Sequence, residues 1–380
     1  MDSKNLTDSE DSNVGCNTKN IVKRDSFIYS IDNFSTFDSV SRSCGQDIPF
    51  SDNSCGDKEL CQKYCVQKYI VGNGHTFNFE LDSKVKGFFD IYPYGNDDDS
   101  KDYVSLSLHF KEFSCLMITA LCKFSILNTN GKEEYKSIVG VRNFDANKTS
   151  YCLQKFLNRN DLRNRKNNLL PGDRLTVCFE IFYLCDDEYI SGVSEATHIG
   201  GPLNMLLNDI SRMLDSSGYY DCIIKVKNHE IKVHKCILDA RSEVFRSMLK
   251  YKLADPQSST IEMNDYSLEV VKEMVNYIYT GKSPRIDKLA IEMLEVAEKY
   301  KLVGLKMIAT ESLLNSLNVQ NVCEYLEVSE TYSAEILKEF CIRYIYLNAD
   351  EVIESKNWSK IVNLYSYLVA RILNVAVSKC

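Results

Sequence analysis

The hydrophobic pattern of this chain changes its period near residue 200, and that change constrains the fold more than any other feature. Before it, apolar and polar residues alternate, as in residues 103–110, which read YVSLSLHF. A period of two buries one face of a β-strand and exposes the other. The alternation returns in Leu175–Ile181, after a turn at Pro171-Gly172-Asp173. Several short strands separated by turns predict an antiparallel β-sandwich over about residues 27–183.

Helical periodicity takes over after a short segment rich in turn-forming residues. Residues 186–202 contain three glycines and Pro202, which predicts a linker. From Leu203 onward apolar residues recur at i, i+3, i+4 and i+7, which predicts an amphipathic helix. A β-hairpin over about residues 224–233 and further helices follow. Ser267 is the expected N-cap of one helix, and Gly281 the expected end of the same helix.

Composition and charge narrow the classes of partner. The chain has 380 residues, a formal net charge of -8 and a sequence pI of about 5.4. An acidic protein is a poor partner for nucleic acid, so we predict none. The basic run from Arg159 to Lys166 is interrupted by Asp161 and is interpreted as a solvated loop. Without a signal peptide or an apolar run of membrane-spanning length, we expect no membrane association and a location in the cytoplasm or nucleus.

The cysteines are expected to be reduced. The chain has fifteen of them, an odd number, and no export signal that would lead it to an oxidising compartment. The densest group is Cys44, Cys55, Cys61 and Cys65, with His75 beyond it. Intervals of ten, five and three intervening residues differ from the paired spacings of zinc folds. A Cys-containing inserted loop over about residues 40–68 is the preferred interpretation, with no metal and no cofactor.

Enzyme motifs do not account for this sequence. It contains no G-x-S-x-G, no G-x-x-x-x-G-K-S/T and no H-E-x-x-H motif. His234 precedes an apolar helix start and is interpreted as a packed, hydrogen-bonded histidine rather than a general base. A cysteine hydrolase stays open as a third hypothesis, and it would require a thiol of low pKa. We therefore predict a protein without enzymatic activity.

Two groups of motifs resemble known modules. Asp221-Cys222, residues 234–238 (HKCIL), Ala240-Arg241-Ser242 and residues 277–281 (YIYTG) are similar to a BTB/POZ domain. Residues 29–34 (YSIDNF), 100–103 (SKDY), 123–128 (KFSILN) and Leu170-Pro171 resemble a MATH domain. A MATH domain followed by a BTB domain is the architecture of the speckle-type POZ family, and the resemblance covers about residues 25–370. The segment from Asn318 to Ile372 resembles the helical extension of that family.

The resemblance implies an α+β multidomain fold: an antiparallel, TRAF-like β-sandwich, then an α/β BTB/POZ domain, then a short BACK-like helical extension. The expected boundaries are a tail at 1–24, a MATH domain at 25–185, a linker at 186–202, a BTB domain at 203–312 and the extension at 313–380. It also implies a substrate adaptor of a cullin-3 ubiquitin ligase that promotes ubiquitination and proteasomal degradation. The alternative is a BTB homodimeric scaffold or competitor that binds no cullin.

Three sets of contact residues follow from the same resemblance. Homodimerisation, with higher oligomers open, would use Leu206, Ile210, Met213 and Ile237. Cullin-3 would be bound at Leu253 and Asp255, where the family has an apolar residue followed two places later by Glu. Protein substrates would be bound at Ser107, Cys122, Tyr151 and Leu153, together with Asn143 or, after a shift of one residue, Phe144. The family lines this cleft with aromatic residues, so the loss of most of them predicts a changed set of substrates.

Overall fold

A computed structural model describes residues 22–36, 75–81, 85–113, 115, 117–164, 169–186, 196–215, 218–252 and 260–377. The first half is a β-sandwich of two four-stranded sheets. Its strands are β1 Lys23–Ile31, β2 His75–Leu81, β3 Val85–Tyr92, β4 Tyr103–Phe113, β5 Met117–Leu127, β6 Glu133–Phe144, β7 Ser150–Asn158 and β8 Leu175–Asp186.

All neighbouring strands of the sandwich run antiparallel. The first sheet has the order β1-β8-β5-β6, and the second sheet has the order β2-β3-β4-β7. Strands β6 and β7 are therefore edge strands of different sheets. A short helix, α1 (Arg159–Arg163), directly follows β7. The predicted antiparallel sandwich is confirmed.

Phenylalanine rings fill the space between the two sheets. Phe124 of β5 stacks on Phe179 of β8 with ring centroids 4.9 Å apart. Phe89 of β3 packs against Phe179 at 5.6 Å, so rings from both sheets meet in the middle. Such aromatic pairs add to the free energy gained by burying apolar area.

Gly87 of β3 lies opposite a bulge in β4, where the strands of the second sheet pass close together. The register between β3 and β4 shifts between Lys86 and Gly87. A Cβ atom at position 87 would collide with the ring of Phe79 and with the carbonyl oxygen of His109. Only glycine fits on β3 where the neighbouring strands come this close.

The second half combines a small sheet with helices. Strands β9 (Cys222–Val226) and β10 (His229–Val233) form a hairpin, and β11 (Thr260–Glu262) pairs with β9 in parallel. The helices are α2 Ala196–Asp215, α3 Lys235–Arg241, α4 Glu243–Lys252, α5 Leu268–Thr280, α6 Ile286–Lys299, α7 Val303–Asn315, α8 Val322–Thr331, α9 Glu335–Leu347, α10 Ala349–Ile353, α11 Trp358–Leu364 and α12 Ser366–Val377.

The predicted ends of α5 are confirmed, whereas α2 begins earlier than predicted. Ser267 caps α5 by accepting a hydrogen bond from the Val270 N–H at 3.3 Å, and Gly281 ends it with φ 69°, as predicted. Helix α2 instead begins at Ala196, so it includes Pro202, which the sequence predicts to lie in the linker.

The helical half covers the outer face of the first sheet. Leu121, Val141 and Phe182 on that face belong to the same buried cluster as the helices. The ring of Phe182 meets the ring of Tyr346 on α9 edge-on at 6.1 Å. Strand β5 is consequently buried on both faces, which explains why its sequence, MITALCKFSIL, does not alternate cleanly.

Candidate protein-binding surfaces

Helix α2 leaves part of its apolar stripe exposed. Ile210 and Leu214 pack against the core of the helical half. Leu206 is 55% exposed, its neighbour Met205 67%, and Met213 37%. A helix that only served its own domain would bury these side chains, so the exposed remainder suits a symmetric contact with a second copy. Sequence analysis missed Met205, which lies beside the stripe.

Ile237 and His234 lie at the start of α3. Ile237 is partly buried against the core, so it offers less surface than Leu206. The His234 ring is buried, and its Nδ1 atom lies 2.9 Å from the Tyr279 hydroxyl. The same hydroxyl accepts the His234 main-chain N–H at 2.8 Å, and burial raises the pKa of Tyr279 to about 12. The interpretation of His234 as a packed, hydrogen-bonded residue is confirmed.

The proposed cullin contact lies outside the described residues. Helix α4 ends at Lys252, immediately before Leu253 and Asp255. The two residues therefore follow the helix that carries Phe245 into the core of the helical half. Their role stays a prediction.

The predicted substrate residues do not form one cleft. Tyr151 and Leu153 lie together on β7, each partly buried against the sandwich core. Ser107 lies on the outer face of the second sheet, opposite Asp90 of β3 and Cys152 of β7. Only Tyr151 and Leu153 thus share a surface from which they could contact an extended peptide.

Two of these predicted contacts are corrected by the structure. Cys122 is 2% exposed and Phe144 is 1% exposed, and both lie in the core between the sheets. Cys122 follows the regular alternation of β5, which carries Ala120 and Phe124 into the same core. The register shift between Ala120 and Cys122 places one extra residue in β6, so Phe144 rather than Asn143 shares the inward face of Val139. Asn143, the alternative to Phe144, points to the helical half and donates its Nδ2 to Glu311 of α7 at 2.8 Å.

Edges β6 and β7 meet on one side of the sandwich. The Tyr135 hydroxyl of β6 donates to the carbonyl oxygen of Phe156 on β7 at 2.5 Å. The guanidinium of Arg142 on β6 lies over the ring of Tyr151, 5.3 Å from its centroid. We call this surface, made by Tyr135, Arg142, Tyr151 and Leu153, the β6–β7 edge. Sequence analysis missed Arg142, because contacts between edges of different sheets leave no periodic signal.

A polar cluster covers the outer face of the second sheet. The Asp90 carboxylate accepts hydrogen bonds from Thr76 Oγ1 at 2.5 Å and from the Tyr92 hydroxyl at 3.2 Å. Its Oδ2 atom is 3.7 Å from His109 Nε2. The pKa of Tyr92 is raised to about 12, mainly by burial and secondly by the negative charge of Asp90. Burial lowers the pKa of His109. His109 is therefore mainly neutral at pH 7, and its ring stacks on Phe88 at 4.5 Å.

A buried ion cluster lies between the first sheet and the helical half. Glu180 is 4% exposed and accepts Arg24 Nε at 2.7 Å and Lys123 Nζ at 2.9 Å. Arg24 also donates to the Tyr346 hydroxyl and the Val375 carbonyl oxygen, both at 3.0 Å. Burial lowers the pKa of Arg24 and of Lys123, but their carboxylate partners outweigh it, so both pKa values are raised. The cluster joins residues of the two halves by charge-assisted hydrogen bonds.

Four of the described thiols lie in environments that disfavour the thiolate. Burial raises the pKa of Cys122, Cys178, Cys323 and Cys341, whereas a catalytic thiol needs a lowered pKa. Within the described ranges no three His, Cys, Asp or Glu side chains group as metal ligands. The loop that contains Cys44 to Cys65 lies outside those ranges.

No single described helix is long and apolar enough to cross a bilayer. Helices α11 and α12 would qualify only as a pair, and the two are bent by 107° relative to each other.

Comparison with known proteins matches both halves of the chain. A family model for the MATH domain matches residues 73–181, and one for the BTB/POZ domain matches residues 210–317. The chain is also similar to TD and POZ domain-containing protein 2 of Mus musculus. The two are 32% identical over 323 residues, which is 82% of this chain and 88% of the relative.

Proposed function

The chain belongs to the family of proteins with a MATH domain followed by a BTB/POZ domain, and from that premise we propose that it is a substrate-recognition adaptor of a cullin-3 ubiquitin ligase. The sandwich holds a partner protein, the BTB domain dimerises and binds the cullin, and the bound partner is ubiquitinated and degraded. This role is exercised in the cytoplasm or nucleus.

The order of the two modules carries the proposal. MATH domains bind proteins, and BTB domains mediate dimerisation and other protein contacts, so the chain joins two binding functions. The exposed apolar residues of α2, Met205, Leu206 and Met213, support a homodimer. Neither half needs a catalytic group of its own for this role, in keeping with a family of non-catalytic adaptors.

An adaptor accelerates a reaction by placement. Binding the partner converts the encounter of its lysines with the conjugating enzyme into an intramolecular step at raised effective concentration. A dimer presents two sandwiches and two cullin contacts, so a partner with two binding segments is held more tightly than by either sandwich alone.

The β6–β7 edge is the surface of the sandwich that best suits an extended peptide. Strand β7 ends the second sheet, and no other described strand pairs with its free side. An extended segment can add to such an edge by main-chain hydrogen bonds, while side chains such as Tyr151 and Leu153 give specificity. The family's aromatic residues are largely replaced here, so we propose a different set of substrates from those of the family.

A scaffold without a cullin is the second candidate. One observation favours it: Asp255 stands where the family has Glu, which shortens the carboxylate side chain by one methylene. A charge-assisted hydrogen bond lengthens or is lost when its acceptor is withdrawn in this way.

Light-scattering mass of the full-length protein, alone and with the N-terminal part of cullin-3, tests the proposal. We expect a dimer of the 43.5 kDa chain that gains one cullin per protomer. Asp255→Arg should abolish the gain, whereas Glu292→Arg, the same change at an exposed position of α6, should leave it intact. A dimer that gains no cullin supports the scaffold, and a monomer contradicts both candidates.

A further inference from the structure

Arg142 differs from many of the described arginines in what balances its charge. Within the described part of the chain it has no carboxylate partner: its Nη1 donates to the Val141 carbonyl oxygen at 3.2 Å, and its guanidinium lies over the Tyr151 ring. By contrast, five of the described arginines each reach a carboxylate: Arg24, Arg174, Arg285, Arg343 and Arg371. A guanidinium held flat on an aromatic ring keeps donors at its rim for a carboxylate.

Arg142 begins a basic stretch of the sequence, although the chain as a whole is acidic. Residues 142–166 contain seven basic residues against two acidic ones, in a chain of net charge -8. The basic residues are Arg142, Lys148, Lys155, Arg159, Arg163, Arg165 and Lys166. Of the two acidic residues, Asp145 already accepts the N–H groups of Asn147 and Lys148 in its own turn.

The basic run that follows β7 is continuous with the β6–β7 edge. The sequence favours a solvated loop for Arg159 to Lys166, but Arg159 to Arg163 form helix α1 at the end of β7. Lys155 on β7 lies over the Tyr103 ring at 5.6 Å, and Arg159 lies over the Tyr94 ring at 4.0 Å. Two cations at β7 and its end thus lie over aromatic rings, although β7 also holds one carboxylate, Asp97, which accepts the Gln154 Nε2 at 2.7 Å.

We propose that the β6–β7 edge recognises an extended acidic segment of a partner protein. The segment pairs its main chain with the free side of β7, and an Asp or Glu carboxylate of the segment binds Arg142 on its Tyr151 platform. Lys155 and the α1 arginines add long-range attraction, which speeds association and makes binding sensitive to salt. The inference rests on the proposed function, because it takes the sandwich to be the module that holds the partner.

A phage library of random dodecapeptides, selected on the full-length protein, tests the inference. We expect the recovered peptides to be rich in Asp and Glu beside an apolar residue. Synthetic copies should bind Arg142→Gln about tenfold more weakly, since one charge-assisted hydrogen bond is lost. Arg142→Glu should select Lys- and Arg-rich peptides instead. Lys272→Glu, the same reversal at an exposed site on α5, should behave as the unchanged protein does.

Circular dichroism and the midpoint of thermal unfolding establish that each variant is folded. Recovered peptides that are neutral or basic, or that ignore the Arg142 variants, overturn the acidic preference and leave the adaptor proposal intact. Recovery of no peptide overturns both the acidic preference and the peptide-binding role of the edge. The light-scattering measurement described above tests the cullin and dimer contacts separately.

Discussion

Replacing Glu180 by glutamine would break the ion cluster between the sandwich and the helical half while preserving the shape of the side chain. Glu180 is the carboxylate shared by Arg24 and Lys123, at 2.7 Å and 2.9 Å from their donor nitrogens. Glutamine removes the negative charge and leaves both cations in place. The side chains of Arg24 and Lys123 are only 17% and 8% exposed, so water cannot replace the interaction of their charges with the lost carboxylate.

The expected loss follows from what the two cations retain. Removing one partner of a buried ion pair costs about 3–5 kcal/mol of unfolding free energy. Lys123 keeps Glu133 at 2.6 Å, and that carboxylate is 39% exposed. Arg24 keeps the Tyr346 hydroxyl and the Val375 carbonyl oxygen. We therefore expect a loss of about 2–4 kcal/mol.

Urea unfolding followed by tyrosine fluorescence and circular dichroism measures this loss as a shift of the midpoint. The matched control is Glu112→Gln, which breaks an exposed pair with Lys86 at 3.7 Å in the same domain and should cost about 0–1 kcal/mol. If Glu180→Gln costs no more than Glu112→Gln, the cluster is solvated and the two halves are not held together by it.

Three further predictions follow from the described residues. Leu206→Asp on α2 should give a folded monomer by light scattering, because it puts a charge into the proposed apolar dimer contact; a dimer of unchanged stability would contradict that contact. Gly87→Ala should cost about 1–3 kcal/mol of unfolding free energy, measured by urea unfolding, since its Cβ meets the Phe79 ring; an unchanged midpoint would show that the bulge has room. The folded pKa of Tyr92 and of Tyr279 is raised to about 12, so the folded state retains their protons while the unfolded state loses them near pH 10. The unfolding free energy should accordingly be intact below about pH 10 and fall as the pH rises towards 12; Tyr92→Phe should reduce that fall, and an identical pH profile would contradict the burial of Tyr92.

The order and class of the two halves could be predicted from sequence because they depend on local patterns. Alternation in β4 places Leu106 and Leu108 on one face whatever lies opposite them. At the ends of α5, main-chain groups that lack a partner within the helix are bound locally. The Ser267 side chain accepts the Val270 N–H, and the Gly281 N–H donates to the Tyr277 carbonyl oxygen. The family could also be predicted from sequence, because the motifs of a MATH domain and of a BTB/POZ domain occur in the expected order.

Only the tertiary structure decided which faces meet solvent. Alternation predicts that Leu121 and Cys122 point to opposite sides of β5, but not that helices cover the Leu121 side. The predicted surface contact at Cys122 is a core residue because the second sheet covers that side of β5. Arg24 donates a hydrogen bond to the Tyr346 hydroxyl, which is 322 positions away in the sequence. Arg142 lies over the ring of Tyr151, which belongs to a strand of the other sheet. Contacts of this kind depend on how sheets and helices pack, and packing between distant segments has no period that a sequence can display.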